Sequence, residues 1–364
     1  AGATSLGMDV IRIGLASTDM LYFASGKLGL PGAMFTASHN PAEYNGIKLC
    51  LSDARPVGKE SGLVTIENFV REGSPIALRN VGVEKQRNML EEYVDYLLTL
   101  VDLKSIRPLK IIVDAGNGMA GHTAPAIFAR LNCEIIPMYF DLDGTFPNHE
   151  ANPIDEKNLR DLQKAVLEHG ADLGLAFDGD ADRCFLVDEK ANAINPSDLT
   201  SLIAARELKK NPGSTIIYNL ISSRAVLEVI EENGGVGLRS RVGHSYIKKM
   251  MAESKAIFGG EHSGHFYFDD FWRADSGALA ALHAIAALGE SEKSMSEILK
   301  PYQRYCLSGE INSKVADTAA ATALVEATFS SMPGVTTDHL DGLTVNGDTW
   351  WFNLRPSNTE PLLR

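Results

Sequence analysis

Residues 173–183 read LGLAFDGDADR, an apolar run that leads directly into a loop of alternating carboxylates. The short apolar run predicts a buried strand over residues 173–177. Open α/β sheets bind their ligands beyond the carboxyl ends of strands, and Asp178, Asp180 and Asp182 stand at such an end. Carboxylate oxygens are the ligands that a hard cation takes, and three of them this close repel one another without a cation. The stretch therefore predicts an α/β sheet with a metal site at its edge.

On both sides of this stretch, short apolar strands alternate with helical patterns. Strands are predicted over residues 10–15, 109–113, 133–138, 215–218 and 236–240, and helices over residues 158–169 and 199–209 and from Ser223 onward. Helical patterns between short strands indicate βαβ units and a largely parallel sheet. The last block differs, because a helix over residues 316–329 is followed by strands over residues 343–345 and 350–354.

Three polar or charged stretches mark candidate domain boundaries, near residues 84–87, at Asn195-Pro196 and near Ser308. They divide the chain into three α/β domains and a shorter last domain, with bounds at residues 1–85, 86–194, 195–307 and 308–364. We therefore expect a multidomain α/β protein, in which three related α/β domains with mixed sheets are followed by a smaller α+β C-terminal domain.

The composition narrows the classes of function. The formal net charge is −13, which argues against a nucleic-acid binder, because nucleic-acid-binding domains usually carry a basic surface. An anionic substrate would need a locally basic cleft. No apolar run approaches the ~18 residues of a membrane helix, so we expect no membrane partner. Reduced thiols and a cytoplasmic location are expected from the cysteines, which form no CxxC pair: Cys50, Cys133, Cys184 and Cys306.

A second polar loop, residues 36–41, reads TASHNP and is followed by Lys48. Ser38 could act as an activated nucleophile, or carry a phosphoryl group with its strong acceptor oxygens. His39 beside it and Lys48 further on could assist either chemistry. By itself, however, Ser-His-Asn-Pro is also an ordinary turn, with Asn and Pro in their usual places.

Two more polar loops follow along the chain. Residues 259–265 read GGEHSGH and offer a carboxylate, a hydroxyl and imidazoles that could bind sugar hydroxyls, although a polar turn between strands explains them as well. Upstream, Gly243-His244-Ser245 could simply cap the next helix. Residues 355–361 read RPSNTEP, in which the planar fork of an arginine matches phosphate oxygens and backbone N–H groups could complete an anion-binding nest. A turn after the preceding strand is again the alternative.

Taken together, and in their order along the chain, the four loops resemble the α-D-phosphohexomutase family, which includes phosphoglucomutase, phosphomannomutase and phosphoglucosamine mutase. The resemblance covers almost the whole chain, and residues 114–118, DAGNG, also resemble a recurring turn in the second domain of the family. It implies four domains around a central cleft, with one active-site loop from each. It also implies two phosphoryl transfers: a phosphoserine phosphorylates a hexose phosphate, the bisphosphorylated sugar turns over, and the serine takes back the other phosphoryl group.

The resemblance implies a role for each loop. Ser38 would be the phosphoserine and would bind Mg²⁺ through a phosphoserine oxygen, and Arg183 would lie beside this site. Lys48 would be a candidate general acid or base, with His39 near the transferred group. The other metal ligands would be Asp178, Asp180 and Asp182. Sugar hydroxyls would be bound by Glu261, Ser263 and His265, with His244 matching an active-site histidine of some members. The phosphate that does not react would be held by Arg355, Ser357, Asn358 and Thr359.

The sequence also departs from the family pattern. Family chains usually have a longer stretch before the serine, including a glycine-rich loop with an active-site arginine, so we expect an incomplete first domain. The chain stops soon after the fourth loop, which suggests a short fourth domain. Ile221 stands where some relatives carry an active-site lysine.

The substrate is expected to be a phosphosugar, with a hexose 1,6-bisphosphate as intermediate or activator. Residues 261–265, EHSGH, and 271–277, FWRADSG, resemble bacterial phosphomannomutase/phosphoglucomutase sequences, which favours mannose phosphate over glucose or glucosamine phosphate. Two other classes remain open: a metal-dependent sugar phosphatase, and a non-catalytic sugar-phosphate binding protein. Both a monomer and a homodimer are compatible with the sequence.

Overall fold

The computed structural model describes residues 2–73, 80–356 and 362–364. The first elements form two small sheets around helix α2. Strands β1 and β4 pair in parallel, and β2 and β3 pair as an antiparallel hairpin. The hydroxyl of Ser17 accepts from the Met20 amide and caps the start of α2, a position that serine favours. The elements are α1 (Gly2–Ser5), β1 (Val10–Arg12), α2 (Thr18–Leu28), β2 (Gly32–Phe35), β3 (Ile47–Cys50), a helical turn (Lys59–Leu63), α3 (Val64–Glu72) and β4 (Glu84–Gln86).

The next elements form a five-stranded sheet, sheet A, in the order β6-β5-β7-β8-β9. Its first three strands run parallel, and β8 and β9 continue the sheet antiparallel. Strand β7, the apolar run of residues 173–177, is buried along its whole length. The elements are α4 (Leu90–Leu100), β5 (Leu109–Asp114), α5 (Ala120–Phe128), β6 (Cys133–Met138), a 3₁₀ turn (Glu156–Leu159), α6 (Arg160–His169), β7 (Leu173–Phe177), β8 (Cys184–Asp188) and β9 (Ala193–Ile194).

Sheet B repeats the same topology, in the order β11-β10-β12-β13-β14, with two parallel pairings followed by two antiparallel ones. Helix α10 between the sheets is apolar all round and fully buried, as expected for a core helix. The elements are α7 (Pro196–Lys210), β10 (Thr215–Asn219), α8 (Arg224–Glu232), β11 (Val236–Ser240), α9 (His244–Ser254), β12 (Phe258–Gly260), β13 (Phe266–Phe268), a 3₁₀ turn (Asp269–Phe271), β14 (Ala274–Asp275), α10 (Gly277–Gly289) and α11 (Met295–Leu299).

The last elements form a smaller α+β unit. Strands β16, β17 and β18 make an antiparallel sheet, β15 pairs with β19, and α12 packs on the sheet. The elements are β15 (Ser313–Lys314), α12 (Thr318–Ser330), β16 (Thr336–Asp338), β17 (Leu343–Asn346), β18 (Trp351–Leu354) and β19 (Leu362–Leu363). None of the helices in the described part of the chain combines the length and apolar character needed to span a bilayer.

The fold confirms the predicted class, a multidomain α/β protein with mixed sheets and a smaller α+β end. The expectation of largely parallel sheets is wrong for the last two strands of sheets A and B, which run antiparallel. The largest differences in length are the strand predicted over residues 10–15, which is limited to Val10–Arg12, and the helix predicted over residues 199–209, which begins at Pro196. The four cysteines are free thiols.

Candidate active site

Ser38 lies in the turn between β2 and β3, where its backbone has a φ of 55°. This left-handed conformation costs a non-glycine residue roughly 1–2 kcal/mol. The turn holds it, because the Ser38 amide donates to the hydroxyl of Thr36 at 2.8 Å. The Ser38 hydroxyl donates to Asp178 at 3.2 Å and lies 3.1 Å from Nδ1 of His39. The structure therefore joins the serine loop, residues 36–41, to the carboxylate loop, residues 178–183.

Gly179 permits this close approach of the two loops. A Cβ at Gly179 would lie only 2.3 Å from the backbone oxygen of Ser38, closer than any side chain tolerates. The carbonyl of Gly179 also accepts from the Met119 amide at 2.9 Å. A glycine is therefore required where the carboxylate loop passes beneath Ser38.

Gly179→Ala should lower turnover about 100-fold, because a displacement of about 1 Å between reacting groups costs that much in rate. The added methyl group should also destabilise the fold by about 1–3 kcal/mol, as overpacking does. Gly144→Ala is the matched control, since its Cβ would have no atom within 4 Å. Steady-state rates and thermal unfolding of both variants measure the two effects. Equal rates for the two variants would show that the loop contact has no catalytic importance.

Asp178, Asp180 and Asp182 are buried, with 0%, 1% and 0% of their surface exposed, and they offer ligand atoms that lie within 4.8 Å of one another. Oδ2 of Asp180 accepts from the hydroxyls of Thr18 and Thr36, at 2.8 and 3.1 Å. Among the described residues, Oδ1 of Asp180 and Oδ1 of Asp182 have no hydrogen-bond partner. Buried oxygen atoms are rarely left unpaired, so the residues fit a hard cation.

Two cationic side chains face these three carboxylates. Nζ of Lys48 lies 2.8 Å from Asp180 and also contacts Asp182, and Nε of Arg183 lies 2.8 Å from Asp178. Burial would lower the pKa of Lys48, but Asp182 and Asp180 outweigh it and hold that pKa well above its ordinary value. These two cations leave Oδ1 of Asp180 and Oδ1 of Asp182 without a hydrogen-bond partner among the described residues.

The same charges set the pKa values of the carboxylates. Burial raises the pKa of Asp178 to about 7, and Arg183 opposes the rise. Burial would also raise the pKa of Asp182, but Lys48 and His265 outweigh it and hold that pKa well below its usual range. Burial, followed by the charge of Arg183, lowers the pKa of His39 to about 4, so His39 is neutral beside the serine.

The loop of residues 259–265 lies against the carboxylate loop. Arg183 and His265 form an antiparallel β-bridge, and the Cys184 amide donates to the Gly264 carbonyl at 3.4 Å. Nε2 of His265 lies 3.5 Å from Oδ1 of Asp182, too far for a good hydrogen bond. Nδ1 of His265 lies 2.9 Å from the hydroxyl of Ser263. The structure therefore brings the carboxylate loop and the loop of residues 259–265 together.

Glu261 is 2% exposed and firmly held. Its carboxylate accepts from the Tyr267 hydroxyl at 2.7 Å, the Gly243 amide at 3.1 Å and the side-chain amide of Asn219 at 3.3 Å. Burial would raise the pKa of Glu261, but His265 and His244 outweigh it and lower that pKa. An ionised, fixed carboxylate suits the recognition of sugar hydroxyls.

His244 starts helix α9 and packs edge-on against His265, with ring centroids 4.3 Å apart. Gly243 occupies the N-cap position of this helix, as the capping alternative expects, but no side chain makes a capping hydrogen bond, so capping does not account for the His244 side chain. Nδ1 of His244 lies instead 3.1 Å from the Tyr267 hydroxyl. His244 thus lies beside His265 and Tyr267 in the structure.

Arg355 directly follows β18 and pairs with Asp341 at 3.6 Å. Asp341 accepts from the Val242 amide at 3.2 Å, and Val242 is next to Gly243, whose amide binds Glu261. A continuous set of contacts therefore runs from the fourth loop to the third. The other predicted residues of the fourth loop, Ser357, Asn358 and Thr359, lie outside the described residues.

Sequence reasoning missed several residues of the site. Thr18 and Thr36 bind Asp180, and Tyr267 and Asn219 hold Glu261. A buried ion pair joins Lys248 to Asp275 at 2.6 Å. The ammonium group of Lys248 also lies 3.9 Å from the centre of the Tyr22 ring. Lysine and aspartate are rarely buried unless they are paired, but the sequence alone does not show which residues bury them.

Comparison with known proteins agrees with this geometry. Three models of the phosphoglucomutase/phosphomannomutase α/β/α domains match the chain: domain I at residues 1–75, domain II at residues 91–192 and domain III at residues 195–305. A phosphomannomutase of Salmonella montevideo is 40% identical over all of this chain and 81% of its own length. The phosphohexose mutases of Xanthomonas campestris are 38% identical over all of this chain and 82% of their length.

A solved structure of a phosphoglucomutase/phosphomannomutase family protein from Burkholderia thailandensis superposes with a TM-score of 0.86 at 29% identity, and the match covers all of this chain and 79% of the other. Fold and site together define an enzyme that transfers phosphate within a hexose phosphate. The chain belongs to the phosphoglucomutase/phosphomannomutase family, the α-D-phosphohexomutases.

Proposed function

We propose that this mutase interconverts mannose 1-phosphate and mannose 6-phosphate through phospho-Ser38, with glucose phosphate as a second substrate. The observation that carries the proposal is the hydrogen bond of the Ser38 hydroxyl to Asp178, at 3.2 Å, inside a cluster of three buried carboxylates. A hydroxyl in an ordinary turn would face solvent. The preference for mannose rests on the phosphomannomutase that is 40% identical to this chain.

Magnesium fits the carboxylate cluster. A phosphoryl group on Ser38 would add about 1.5–2 negative charges beside Asp178, which makes a cation still more favourable there. Asp178, Asp180 and Asp182 would hold Mg²⁺ together with an oxygen of phospho-Ser38. When bound, the ion would neutralise charge on the transferred phosphoryl group.

The reaction needs two balanced transfers. In the first, the O–P bond of phospho-Ser38 breaks, and a new O–P bond forms to the free hydroxyl at C6 or C1 of the hexose phosphate. That hydroxyl loses its proton, and the Ser38 oxygen gains one. In the second transfer, after the sugar has turned over, the same bonds form and break in reverse at the other end. Lys48 and His39 are candidates for moving these protons, and positioning and charge neutralisation supply most of the catalysis.

The third and fourth loops are proposed to bind the sugar and its other phosphate. Glu261, Ser263 and His265 would bind hydroxyls, with His244 beside them. Arg355 would grip the distal phosphate through parallel hydrogen bonds, with Ser357, Asn358 and Thr359 completing the loop. The domain bounds at residues 85/86, 194/195 and 307/308 are likewise proposed, because they put one loop on each domain.

Arg355→Lys and Glu261→Gln should separate these two roles. Lysine keeps the charge but loses the bidentate fork, so Arg355→Lys should raise KM about 10-fold for both mannose and glucose phosphate. It should also release more bisphosphorylated sugar, because that loop anchors the intermediate during its turn. Glu261→Gln should instead change the ratio of kcat/KM for the two sugars. Rates in both directions and free bisphosphate measure the difference, and a changed sugar preference in Arg355→Lys would refute the loop assignment.

The test of the whole proposal is a turnover assay with Mg²⁺, a trace of glucose 1,6-bisphosphate, and mannose 1-phosphate. Phosphorus NMR should show conversion into mannose 6-phosphate, and intact mass should show one phosphate that maps to Ser38. Glucose 1-phosphate and glucosamine 1-phosphate in parallel assays rank the substrates. Release of inorganic phosphate without isomerisation would indicate the phosphatase instead, and binding without turnover would indicate a sugar-phosphate binding protein.

A further inference from the structure

Asp19 lies in the first turn of α2 and is 1% exposed. Its carboxylate accepts three hydroxyl groups: Ser17 at 2.5 Å, Tyr93 at 2.7 Å and Ser276 at 2.6 Å. Tyr93 belongs to α4, and Ser276 caps the N-terminus of α10. One buried carboxylate therefore ties together three stretches of the chain that are far apart in sequence.

Two of these stretches lie directly against the carboxylate loop. On one side, Thr18, next to Asp19, donates from its amide to the backbone oxygen of Asp180 at 2.9 Å and from its hydroxyl to Oδ2 of Asp180 at 2.8 Å. On the other side, a Cβ at Gly277, next to Ser276, would lie 2.9 Å from the carbonyl oxygens of Ala181 and Arg183. Asp19 thus joins the two backbone segments between which the carboxylate loop is held.

The chemistry favours a rigid junction. A buried carboxylate is costly unless hydrogen bonds compensate it, and three hydroxyl donors do so here. Burial raises the pKa of Asp19 to about 6, and the three hydrogen bonds oppose the rise. A fully satisfied buried network tends to fix one arrangement of the groups around it.

We propose that Asp19 is a positioning residue for the carboxylate site, which fixes Thr18 and Ser276 so that Asp180 and Asp182 present their unpartnered oxygens to a divalent cation. This inference rests on the proposed function only for the identity of that site. Among the described hydrogen bonds, Asp19 contacts neither the serine loop nor residues 259–265, so its effect reaches the reaction through the residues it holds, Thr18 and Ser276.

The test measures Mn²⁺ binding to the full chain by electron paramagnetic resonance, without sugar. Asp19→Asn keeps the shape but replaces one acceptor oxygen with a donor, and it should weaken Mn²⁺ binding about 10-fold, as loss of outer-shell support does. Tyr93→Phe removes a single hydroxyl and should weaken binding by a smaller factor. The matched control is Asp161→Asn, because Asp161 also lies in the first turn of a helix and accepts a tyrosine hydroxyl, that of Tyr139 at 2.8 Å, but is exposed and makes no described hydrogen bond to the carboxylate loop.

Weaker Mn²⁺ binding by folded Asp19→Asn and Tyr93→Phe, with Asp161→Asn unchanged, would support the proposal. Circular dichroism and thermal unfolding establish that the variants are folded at the assay temperature. Wild-type affinity in both Asp19→Asn and Tyr93→Phe would overturn it, as would a wild-type protein that binds no Mn²⁺. A wild-type protein that binds Mn²⁺ but isomerises no sugar would refute the proposed function alone, because the readout for Asp19 needs no turnover.

Discussion

Ser38→Ala should reduce mutase turnover by about 10⁴-fold or more, the scale expected when a covalent nucleophile is removed. Alanine leaves no oxygen to carry the phosphoryl group, and no other hydroxyl hydrogen-bonds to Asp178 among the described residues. The fold should survive, because the side chain is only half-buried and the variant loses the hydroxyl and its weak 3.2 Å hydrogen bond. Intact mass should show that this variant lacks the phosphate expected on the wild-type chain.

Ser308→Ala is the control for this experiment. Ser308 is exposed and lies outside the helices and strands, far along the chain from the carboxylate loop, and among the described residues its hydroxyl bonds only to the carbonyl of Gly309. The turnover and phosphorylation of the Ser308→Ala variant should equal those of the wild type. Substantial activity in a folded Ser38→Ala variant would remove Ser38 from the mechanism, and a phosphate retained on that variant would place the phosphoryl group elsewhere.

The sequence predicts the structure best where neighbouring residues alone determine a strand, a helix cap or a loop. The apolar run of β7 and the aspartates after it predict both a buried strand and its functional edge, because burial on both faces requires an unbroken apolar run. The cap of α2 by Ser17 and the strands Cys133–Met138 and Val236–Ser240 also lie where local rules place them.

The class prediction included mixed sheets, but it did not say which strands run antiparallel, although the lengths of the connections could have shown this. A parallel neighbour needs a crossover of about a dozen residues or more, whereas only Asp178–Arg183 separates β7 from β8 and only residues 261–265 separate β12 from β13. These two short connections require antiparallel pairing. These two connections carry the carboxylate loop and residues 261–265 of the third loop. The short connections therefore set the strand direction and also carry residues of the site.

Other parts of the site depend on long-range packing. Ser276 is 257 residues from Asp19, and Lys48 is 134 residues from Asp182. Buried polar residues must find partners, but a single sequence does not reveal which ones. Here the four-loop resemblance supplied what local rules could not, by implying that distant loops share one cleft.

Asp180→Asn should weaken the binding of Mg²⁺ about 100-fold and reduce turnover by a similar factor at limiting metal, since it removes an anionic ligand from a buried site. The orientation of the new amide should lower the affinity for Mg²⁺ more than the loss of the negative charge alone would. The position of Oδ2 faces the ammonium of Lys48 and the hydroxyls of Thr18 and Thr36, which are all able to donate. An oxygen is favoured there, so the amide nitrogen would take the position of Oδ1, which has no partner among the described residues.

The variant would therefore present N–H groups where the cation needs a ligand. Asp180→Ala removes the carboxylate without adding a donor, so its affinity for Mg²⁺ should be no lower than that of Asp180→Asn, although alanine is the more drastic change. Titration calorimetry with Mg²⁺ on both variants and on the exposed control Asp161→Asn measures this order. Chelation of the wild type should also abolish turnover, and adding Mg²⁺ should restore it. Full activity in excess chelator would rule out the carboxylate loop as a metal site. Tighter Mg²⁺ binding by Asp180→Asn than by Asp180→Ala would show that the amide turns its oxygen to the ion and away from Lys48.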